Sequence, residues 1–381
     1  MLRFLDAGET HGKCLVAIIE GLLSNLEIDT LKINEMLSKR QGGYGRGGRM
    51  AIETDRVEIL SGVRSNKTLG SPVALMIKNK DYENWESIMS PEKSNGERAV
   101  YVARPGHADL VGALKYNHDD MRNVLERASA RETAIRTAVG AVAKQLLEAV
   151  GIRVISRVVS IGDVADGSLV DYDEYEKNVS KNDMRMYDSS CVSDAVALID
   201  KAKKDGESLG GVVEVVVLGA PAGLGSYVHY DRKIDSKIAG ALMSVQAIKG
   251  VEFGLGFEAS KLFGSSVHDE IIYNGSYMRK TNNAGGIEGG MTNGEPIVVR
   301  AAMKPIPTLY KPLKSVDIRT KAQTDAVVER SDICAVPACS VVCEAVVAFE
   351  VARAVCEKFG GDSMDELIKS IDEYKKRIEK M

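Results

Sequence analysis

Apolar residues recur every three to four positions in three segments of the chain, and this spacing predicts helices. The first segment reads DTLKINEMLSKRQGG, with Asp29 or Thr30 as the expected N-cap and Gly42 as the expected end of the helix. The second runs from about residue 125 to 150, and the third begins at Pro337, a residue that suits the first turn of a helix. Both are rich in apolar residues, so we expect core helices.

Short runs of β-branched and other apolar residues lie between these segments and predict strands. They read CLVAIIEGL, VEILSGV, PVALMIK, GVVEVVVLGAP and PIVVRAAM, and the turn-rich RSNKTLG joins the second to the third as in an antiparallel hairpin. The polar stretch DYENWESIMSPEKSNGE predicts a long surface loop. The pattern indicates one α+β domain over residues 1–381, with antiparallel sheets packed on central helices.

The composition is that of an ordinary soluble protein, since 44% of the 381 residues are apolar and 27% are charged. The formal net charge of −4 attracts neither nucleic acid nor an anionic membrane, so an anionic ligand needs a local cluster of Arg and Lys. The opening MLRFLDAGETHGK lacks a signal-peptide pattern, and no run approaches about 18 apolar residues. We therefore expect a cytoplasmic protein without membrane contact.

The six cysteines form no Cys-x-x-Cys pair, and no histidine stands at metal-ligand spacing from them. Free cysteine is usually buried and behaves as a small apolar residue. We expect reduced core thiols and no metal site.

A glycine-rich stretch, KRQGGYGRGGRM, places Arg40, Arg46 and Arg49 among five glycines. Glycine lets a backbone approach a ligand closely, and guanidiniums bind phosphate or carboxylate through paired hydrogen bonds, so the stretch predicts an anion site. Its G-x-G-x-x-G spacing follows a helix instead of a strand, which argues against a dinucleotide fingerprint. Taken alone, the stretch is equally compatible with a mobile loop or an RGG-type nucleic-acid segment.

Two of the five histidines, His11 in AGETHGK and His107 in RPGHADL, lie beside glycines in turn-like sequence. An imidazole suits proton transfer near neutral pH, so both are candidate catalytic residues, although a lone loop histidine more often serves only in hydrogen bonding. Arg104 precedes His107, and Arg330 and Asp332 precede the third predicted helix. Basic and proton-transferring groups therefore recur together.

Eight strings occur in order along nearly the whole chain: GETHG, KRQGGYGRGGRM, RPGHAD, RASARET, GVEFG, GGIEGGMTNGEPI, KPIPTL and RSDICAVPA. In content and order they resemble the chorismate synthase family. The resemblance implies a β-α-β sandwich of antiparallel sheets around central helices, usually assembled as a homotetramer.

The same resemblance implies a lyase activity. Chorismate synthases convert 5-enolpyruvylshikimate 3-phosphate into chorismate and phosphate by an anti 1,4-elimination, the last common step of the shikimate pathway to aromatic amino acids. They require reduced FMN although the reaction has no net redox change. Some also use NADPH to reduce the flavin, whereas others depend on a separate flavin reductase, and the sequence leaves this alternative open.

By position, the resemblance assigns His107 to protonation of the reduced flavin, His11 to assistance of the leaving phosphate and Asp332 to relay of the flavin proton. The implied substrate contacts are Arg40, Arg46, Arg49, Arg104, Arg131 and Arg330. The implied flavin contacts are Arg127, Ala128, Ser129, Gln246, Ala247, Gly289, Lys304, Pro305, Ile306, Pro307, Thr308 and Arg330. The positions tied to NADPH in the family are matched by Arg40 and Arg46.

We expect Arg127 and Arg131 to share one helix start, where the positive end of the helix adds to an anion pocket. Thr10, Ala128 and Gln246 depart from the family's commonest residues, and neither Thr10 nor Gln246 loses its polar group. An RNA-binding protein that uses the glycine–arginine stretch is the alternative outside enzymes. The negative net charge and the lack of interleaved aromatic residues disfavour it.

Overall fold

The structure, a computed structural model, describes residues 1–47, 54–92, 96–329 and 331–381. Its strands, numbered along the chain, are β1 (Arg3–Ala7), β2 (Cys14–Glu20), β3 (Val57–Ser61), β4 (Val63–Arg64), β5 (Lys67–Thr68), β6 (Val73–Lys78), β7 (Arg153–Ile161), β8 (Val164–Ala165), β9 (Gly211–Leu218), β10 (Ile248–Phe253), β11 (Ile271–Tyr273), β12 (Tyr277–Arg279), β13 (Ile287–Glu288), β14 (Met291–Thr292), β15 (Ile297–Met303), β16 (Lys314–Val316) and β17 (Gln323–Asp325). Its α-helices are α1 (Thr30–Gln41), α2 (Asp109–Tyr116), α3 (Arg122–Ala128), α4 (Thr133–Ala149), α5 (Tyr175–Val179), α6 (Val192–Asp205), α7 (Ile234–Met243), α8 (Gly264–Val267), α9 (Val336–Phe359) and α10 (Met364–Ile378).

Two antiparallel sheets form the outer layers, with strand orders β1-β2-β6-β3 and β10-β15-β9-β7-β8. In β2, Leu15, Ala17 and Ile19 are buried while the residues between them are more exposed, because one face of this sheet packs on the helices. In β9 every residue from 213 to 217 is buried, because Tyr175 of α5 covers the outer face of that sheet. The predicted α+β sandwich with antiparallel pairing, including the β3–β6 hairpin partners, is confirmed.

Helices α4 and α9 form the centre of the middle layer. They approach so closely that a Cβ on Gly140 would lie 2.4 Å from the Cβ of Ala345, which only glycine avoids. The local signals for the helix ends are confirmed: Asp29 caps α1 by accepting from the Leu31 N–H, Gly42 is the C-cap of α1, and α9 carries proline in its first turn.

The helix predicted from residue 125 to 150 is wrong in one respect, because the chain breaks it in two. Helix α3 ends at Ala128, Ser129 is extended, and residues 130–132 form a 3-10 turn before α4. The Ser129 side chain accepts a hydrogen bond from the Arg131 N–H, a local contact that competes with continued helix. The break turns Arg131 into the protein interior, where it is 5% exposed.

The stretch DYENWESIMSPEKSNGE, predicted as a long surface loop, is only partly a surface loop. Residues 80–84 form a 3-10 turn, and Trp85 and Ile88 behind it are buried. The hydrophobic pattern does not predict this burial, because a single aromatic residue in a polar stretch forms no periodic pattern. Trp85 is buried by stacking on His11, which lies far away in sequence.

The main hydrophobic core extends from Leu2 near the N-terminus to Ile371 in α10 and includes residues of both sheets. The organisation as a single domain over residues 1–381 stays a prediction. Among the helices in the described ranges, none is long and apolar enough to cross a membrane.

Candidate active site

Two arginines are buried around one carboxylate. Arg131, in the turn before α4, donates from Nη1 to both oxygens of Asp55 at 2.7 and 2.8 Å. Arg40, in the last turn of α1, lies 3.6 Å from Asp55 through Nη1 and donates to Thr133 Oγ1 and the Ala130 carbonyl. The exposed fraction of the side chain is 3% for Arg131 and 5% for Arg40. These two guanidiniums therefore form the inner part of a cationic cluster.

Like charges lie close together in this cluster. Burial lowers the pKa of Arg40 to about 9; Asp55 opposes this effect, and the positive charges of Arg131 and Arg46 add to it. Arg40 therefore stays charged at neutral pH, and its charged neighbours among the described residues are Arg46, Arg131, Asp55 and Asp332. An anionic ligand would relieve the repulsion among the cations.

The glycine–arginine stretch after α1 is tied to the segment before α9. Arg46 Nη1 lies 2.9 Å from Asp332 Oδ2, and the Gly47 N–H donates to Asp332 Oδ1 at 2.6 Å. A Cβ on Gly47 would lie 2.9 Å from the carbonyl oxygen of Ser331, so this approach needs glycine. The structure thus brings together Arg46 and Asp332, which are predicted separately as substrate contact and proton relay.

His11 is held by a buried glutamate. Its Nδ1 lies 2.9 Å from Glu126 Oε1, and its backbone N–H donates to Oε2 at 2.8 Å. Burial raises the pKa of Glu126, but the hydrogen bonds from His11 and the nearby Arg122 charge outweigh burial and leave the pKa below its ordinary value. An ionised carboxylate only accepts, so His11 Nδ1 donates to it, while Nε2 on the other side of the ring lies 3.9 Å from Asp81 Oδ2.

His107 forms a second histidine–carboxylate pair. Its Nδ1 lies 2.6 Å from Asp109 Oδ1, and Arg104 donates to Asp109 from Nε and Nη2 at 2.8 and 3.0 Å. Burial raises the pKa of Asp109, but the hydrogen bonds from His107 and Arg104 prevail and hold it well below its usual range. Arg104 also donates to Thr308 Oγ1 at 3.3 Å.

Neither carboxylate was among the predicted site residues. Asp109 follows His107 by two positions in RPGHAD, and this His-x-Asp spacing is the signal that could have identified it. Glu126 has no such signal, because it lies 115 residues from His11 and just ahead of RASARET.

Asn79, at the end of β6, connects the His11 loop with the cationic cluster. Its Nδ2 donates to the carbonyls of Glu9 and Gly12 at 3.0 and 2.7 Å, and its Oδ1 accepts from Arg131 Nε at 2.9 Å. The residue is 4% exposed, so its role is structural. These hydrogen bonds fix the position of the loop that carries His11.

Glu329, Ser331 and Asp332, in the segment before α9, contact residues next to both histidine pairs and in the glycine–arginine stretch. Glu329 accepts from Arg122, which also binds the carboxylate of the first histidine pair. Ser331 donates to the carbonyl of Thr308 at 3.1 Å. Thr308 also accepts from Arg104, the arginine of the second histidine pair. Asp332 accepts from the glycine–arginine stretch. The segment thus links the histidines to the arginines.

The predicted flavin contacts at residues 304–308 lie against the RPGHAD loop. Lys304 Nζ donates to the Gly106 carbonyl, and the Lys304 N–H donates to the Ala247 carbonyl at 2.9 Å. Ala247 itself has a φ of 71°, a left-handed conformation that a non-glycine residue adopts only when its surroundings enforce it. Gln246, beside it, donates from Nε2 to Glu132 at 2.9 Å.

Other predicted flavin contacts are more scattered. Arg127 does not share a helix start with Arg131, because the break at Ser129 turns the two arginines apart. Arg127 lies in the last turn of α3, its side chain is 42% exposed, and it pairs with Asp6 at 3.0 Å. Gly289 lies in the turn between β13 and β14, and within the described residues no hydrogen bond or ion pair links it to the histidines or arginines. The predicted site residues Arg49 and Arg330 lie outside the described residues.

Two histidine–carboxylate pairs and a buried guanidinium cluster are typical of an enzyme that binds an anion and transfers protons. The sequence profile described as "Chorismate synthase" matches residues 2–356. The chorismate synthase of Syntrophotalea carbinolica is 56% identical over 383 residues, covering 100% of this chain and 99% of the relative. That of Geobacillus thermodenitrificans is 57% identical over 380 residues, covering 97% and 98%.

A solved crystal structure of a chorismate synthase superimposes with a TM-score of 0.82 at 45% sequence identity, covering 100% of this chain and 99% of that one. The chain therefore belongs to the chorismate synthase family, the lyases that complete the common part of the shikimate pathway.

Proposed function

We propose that this chain eliminates phosphate from 5-enolpyruvylshikimate 3-phosphate to give chorismate. The C–O bond at carbon 3 breaks as phosphate leaves, and a proton leaves carbon 6, so the reaction needs anion binding and proton transfer in one place. The observation that carries the proposal is that residues before α9 contact Arg122 and Thr308, the neighbours of the two histidine–carboxylate pairs, and also the glycine–arginine stretch.

Exposure divides the arginines into two groups. Arg46 and Arg104 are 11% and 10% exposed and lie beside Asp332 and His107, so they are proposed to contact the carboxylates and phosphate of the substrate. Arg40 and Arg131 are more enclosed and are proposed to act mainly through charge. The same burial of Arg40 leaves little of its side chain for direct contact with NADPH.

The histidines are proposed to handle protons at Nε2, since a carboxylate fixes each at Nδ1. His11 would assist the leaving phosphate, and His107 would exchange a proton with the flavin, with Asp332 as relay. Arg46 lies 2.9 Å from Asp332, so the proposed relay and a proposed substrate contact are neighbours.

The residues around Gln246 fit a reduced FMN. Gln246 Oε1 is buried and, within the described residues, has no hydrogen-bond partner, while its Nε2 is fixed by Glu132. Such an acceptor suits a ring that carries N–H donors. Residues 304–308, beside the RPGHAD loop, would hold the rest of the group. When bound, reduced FMN would lend electron density to the breaking C–O bond and recover it as the proton leaves.

A homotetramer in the cytoplasm is part of the proposal. Support comes from the large apolar side chains exposed between residues 227 and 278, which an interface between subunits would cover. They include Tyr227, Tyr230, Phe257, Phe263, Ile271, Tyr273 and Tyr277. The six cysteines are free thiols, as suits a reducing compartment.

The deciding experiment supplies the purified protein with 5-enolpyruvylshikimate 3-phosphate and dithionite-reduced FMN under nitrogen, and measures chorismate and phosphate. We expect equal amounts of both products, and no turnover with oxidised FMN. An aerobic arm with FMN and NADPH tests intrinsic reduction. Release of phosphate without chorismate, or no reaction under nitrogen, would contradict the proposal.

A further inference from the structure

A cavity of about 220 Å³ lies between α1, α4, α5, β7 and α9. None of its lining residues belongs to the candidate active site. This volume is below the roughly 300–1,000 Å³ of pockets for drug-sized ligands, so an occupant must be small.

At the inner end of the cavity, two cations lie around one carboxylate. Glu344 of α9 accepts from Lys144 Nζ of α4 and from Ser156 Oγ at 2.6 Å, and Arg185 Nη2 lies 3.7 Å from it. Burial raises the pKa of Glu344, but Lys144 and Arg185 outweigh burial and lower it, so the carboxylate stays ionised. Two cations thus lie close to this one carboxylate, while Glu148 and Glu176 add negative charge near Lys144.

Both cations retain donors that the protein does not use. Arg185 donates from Nε to Ser340 and from Nη2 to Ser156, but its Nη1 makes no hydrogen bond to any residue in the described ranges. Lys144 donates to Glu344 alone within the same ranges, although an ammonium has three N–H groups. The side chains are 15% and 17% exposed, so their donors are within reach of the cavity.

The residues of the walls and the rim limit which ligands suit the cavity. Met36, Ile155, Val179, Val341 and the Tyr175 ring supply an apolar lining, which a bare inorganic anion would not use. The rim has two lysines and three glutamates, and this excess of negative charge disfavours binding of a multiply charged phosphate ester. These five rim residues are Lys32, Lys39, Glu35, Glu148 and Glu176.

We propose that this cavity binds a small organic monocarboxylate, with its carboxylate at Arg185 and Lys144 and its apolar body along α1, α5 and α9. The site differs in charge and lining from the candidate active site. The inference does not depend on the proposed elimination reaction, and either can fail without the other.

The test uses 4-methylpentanoate as probe and 4-methylpentan-1-ol as a matched uncharged control, in calorimetric titration and saturation-transfer NMR. We expect saturable binding of the acid with a Kd of about 1 mM or tighter, and at least about tenfold weaker binding of the alcohol, the loss of one charge-assisted contact. No saturable binding of the acid, or equal binding of the alcohol, would overturn the proposal.

Variants locate the binding. Ala141→Leu adds bulk to the cavity lining and leaves every charge in place, so it should abolish binding, and its melting temperature is measured to verify that the variant is folded. Arg185→Met should weaken binding at least about tenfold, and Arg153→Met, an exposed arginine on β7 outside the cavity, should not. Arg46→Ala tests the active site: if it removes binding and Ala141→Leu does not, the acid occupies the active site and the proposal is wrong.

Discussion

The imidazole of His11 and the indole of Trp85 lie face to face, with ring centroids 3.7 Å apart and planes inclined by 16°. The guanidinium carbons of Arg98 and Arg122 lie 4.2 and 5.2 Å from the centroid of the indole ring. Since Arg122 also binds Glu126, the His11 ring is fixed at one edge by a carboxylate and on one face by an aromatic ring.

Trp85 is the chain's single tryptophan, so its fluorescence reports on this site. His11→Ala should expose the indole, which is 7% exposed in the parent, and shift its emission to longer wavelength. His268→Ala, a change at an exposed histidine, should leave the emission unchanged. Identical spectra for the parent and His11→Ala would contradict the stacking.

Asp109→Asn should slow chorismate formation by about 10²–10⁴, the range for a lost general acid or base, because His107 loses the carboxylate that sets its proton at Nδ1. The measurement is anaerobic turnover together with the nitrogen NMR signals of His107, which should show a changed tautomer. Asp119→Asn, at an exposed neighbouring position, is the control. A normal rate with an unchanged tautomer would exclude Asp109 as a positioning residue.

We expect Arg131→Ala to lower mainly the unfolding free energy and Arg46→Ala to lower mainly the catalytic efficiency. Arg131→Ala leaves buried Asp55 without its paired guanidinium and should cost about 3–5 kcal/mol of unfolding free energy. Arg46→Ala leaves Asp332 in a more open place and should cost about 1 kcal/mol or less, yet lower kcat/KM more than about tenfold.

Denaturant unfolding and anaerobic kinetics measure both effects, and Arg64→Ala on the exposed β4 strand is the control. If Arg46→Ala keeps full kcat/KM, the glycine–arginine stretch does not contact substrate. If Arg131→Ala unfolds like the parent, the Asp55 pair is not a stabilising interaction.

Glu126→Gln should alter how stability depends on pH. The pKa of Glu126 is lowered by folding, so its stabilisation is complete above the ordinary value of about 4.3 and is lost as pH falls through the folded value. The parent should therefore exceed the variant at pH 7, and the gap should narrow below about pH 4. Urea unfolding from pH 3 to 7 checks this, with exposed Glu27→Gln as control. A gap independent of pH would show that the Glu126 charge does not stabilise the fold.

The sequence by itself determined the parts of this protein that depend on neighbouring residues. Asp29 and Gly42 bound α1, proline opens α9, and alternating or continuous apolar runs identify the strands. These signals act within a few residues through caps, φ preferences and side-chain period, so they can be read without the fold. The order of short motifs also identified the family and its candidate histidines and arginines.

Only the tertiary structure decided which of those groups meet. Asp55 and Arg131 are 76 residues apart, and His11 and Glu126 are 115 apart, so no local pattern relates them. Hydrophobic period predicts which face is buried but says nothing about a polar group buried with a partner, which is stable only when both arrive together. The break at Ser129 and the burial of Trp85 depend on such contacts: one turns Arg131 inward, and the other places an aromatic ring against His11.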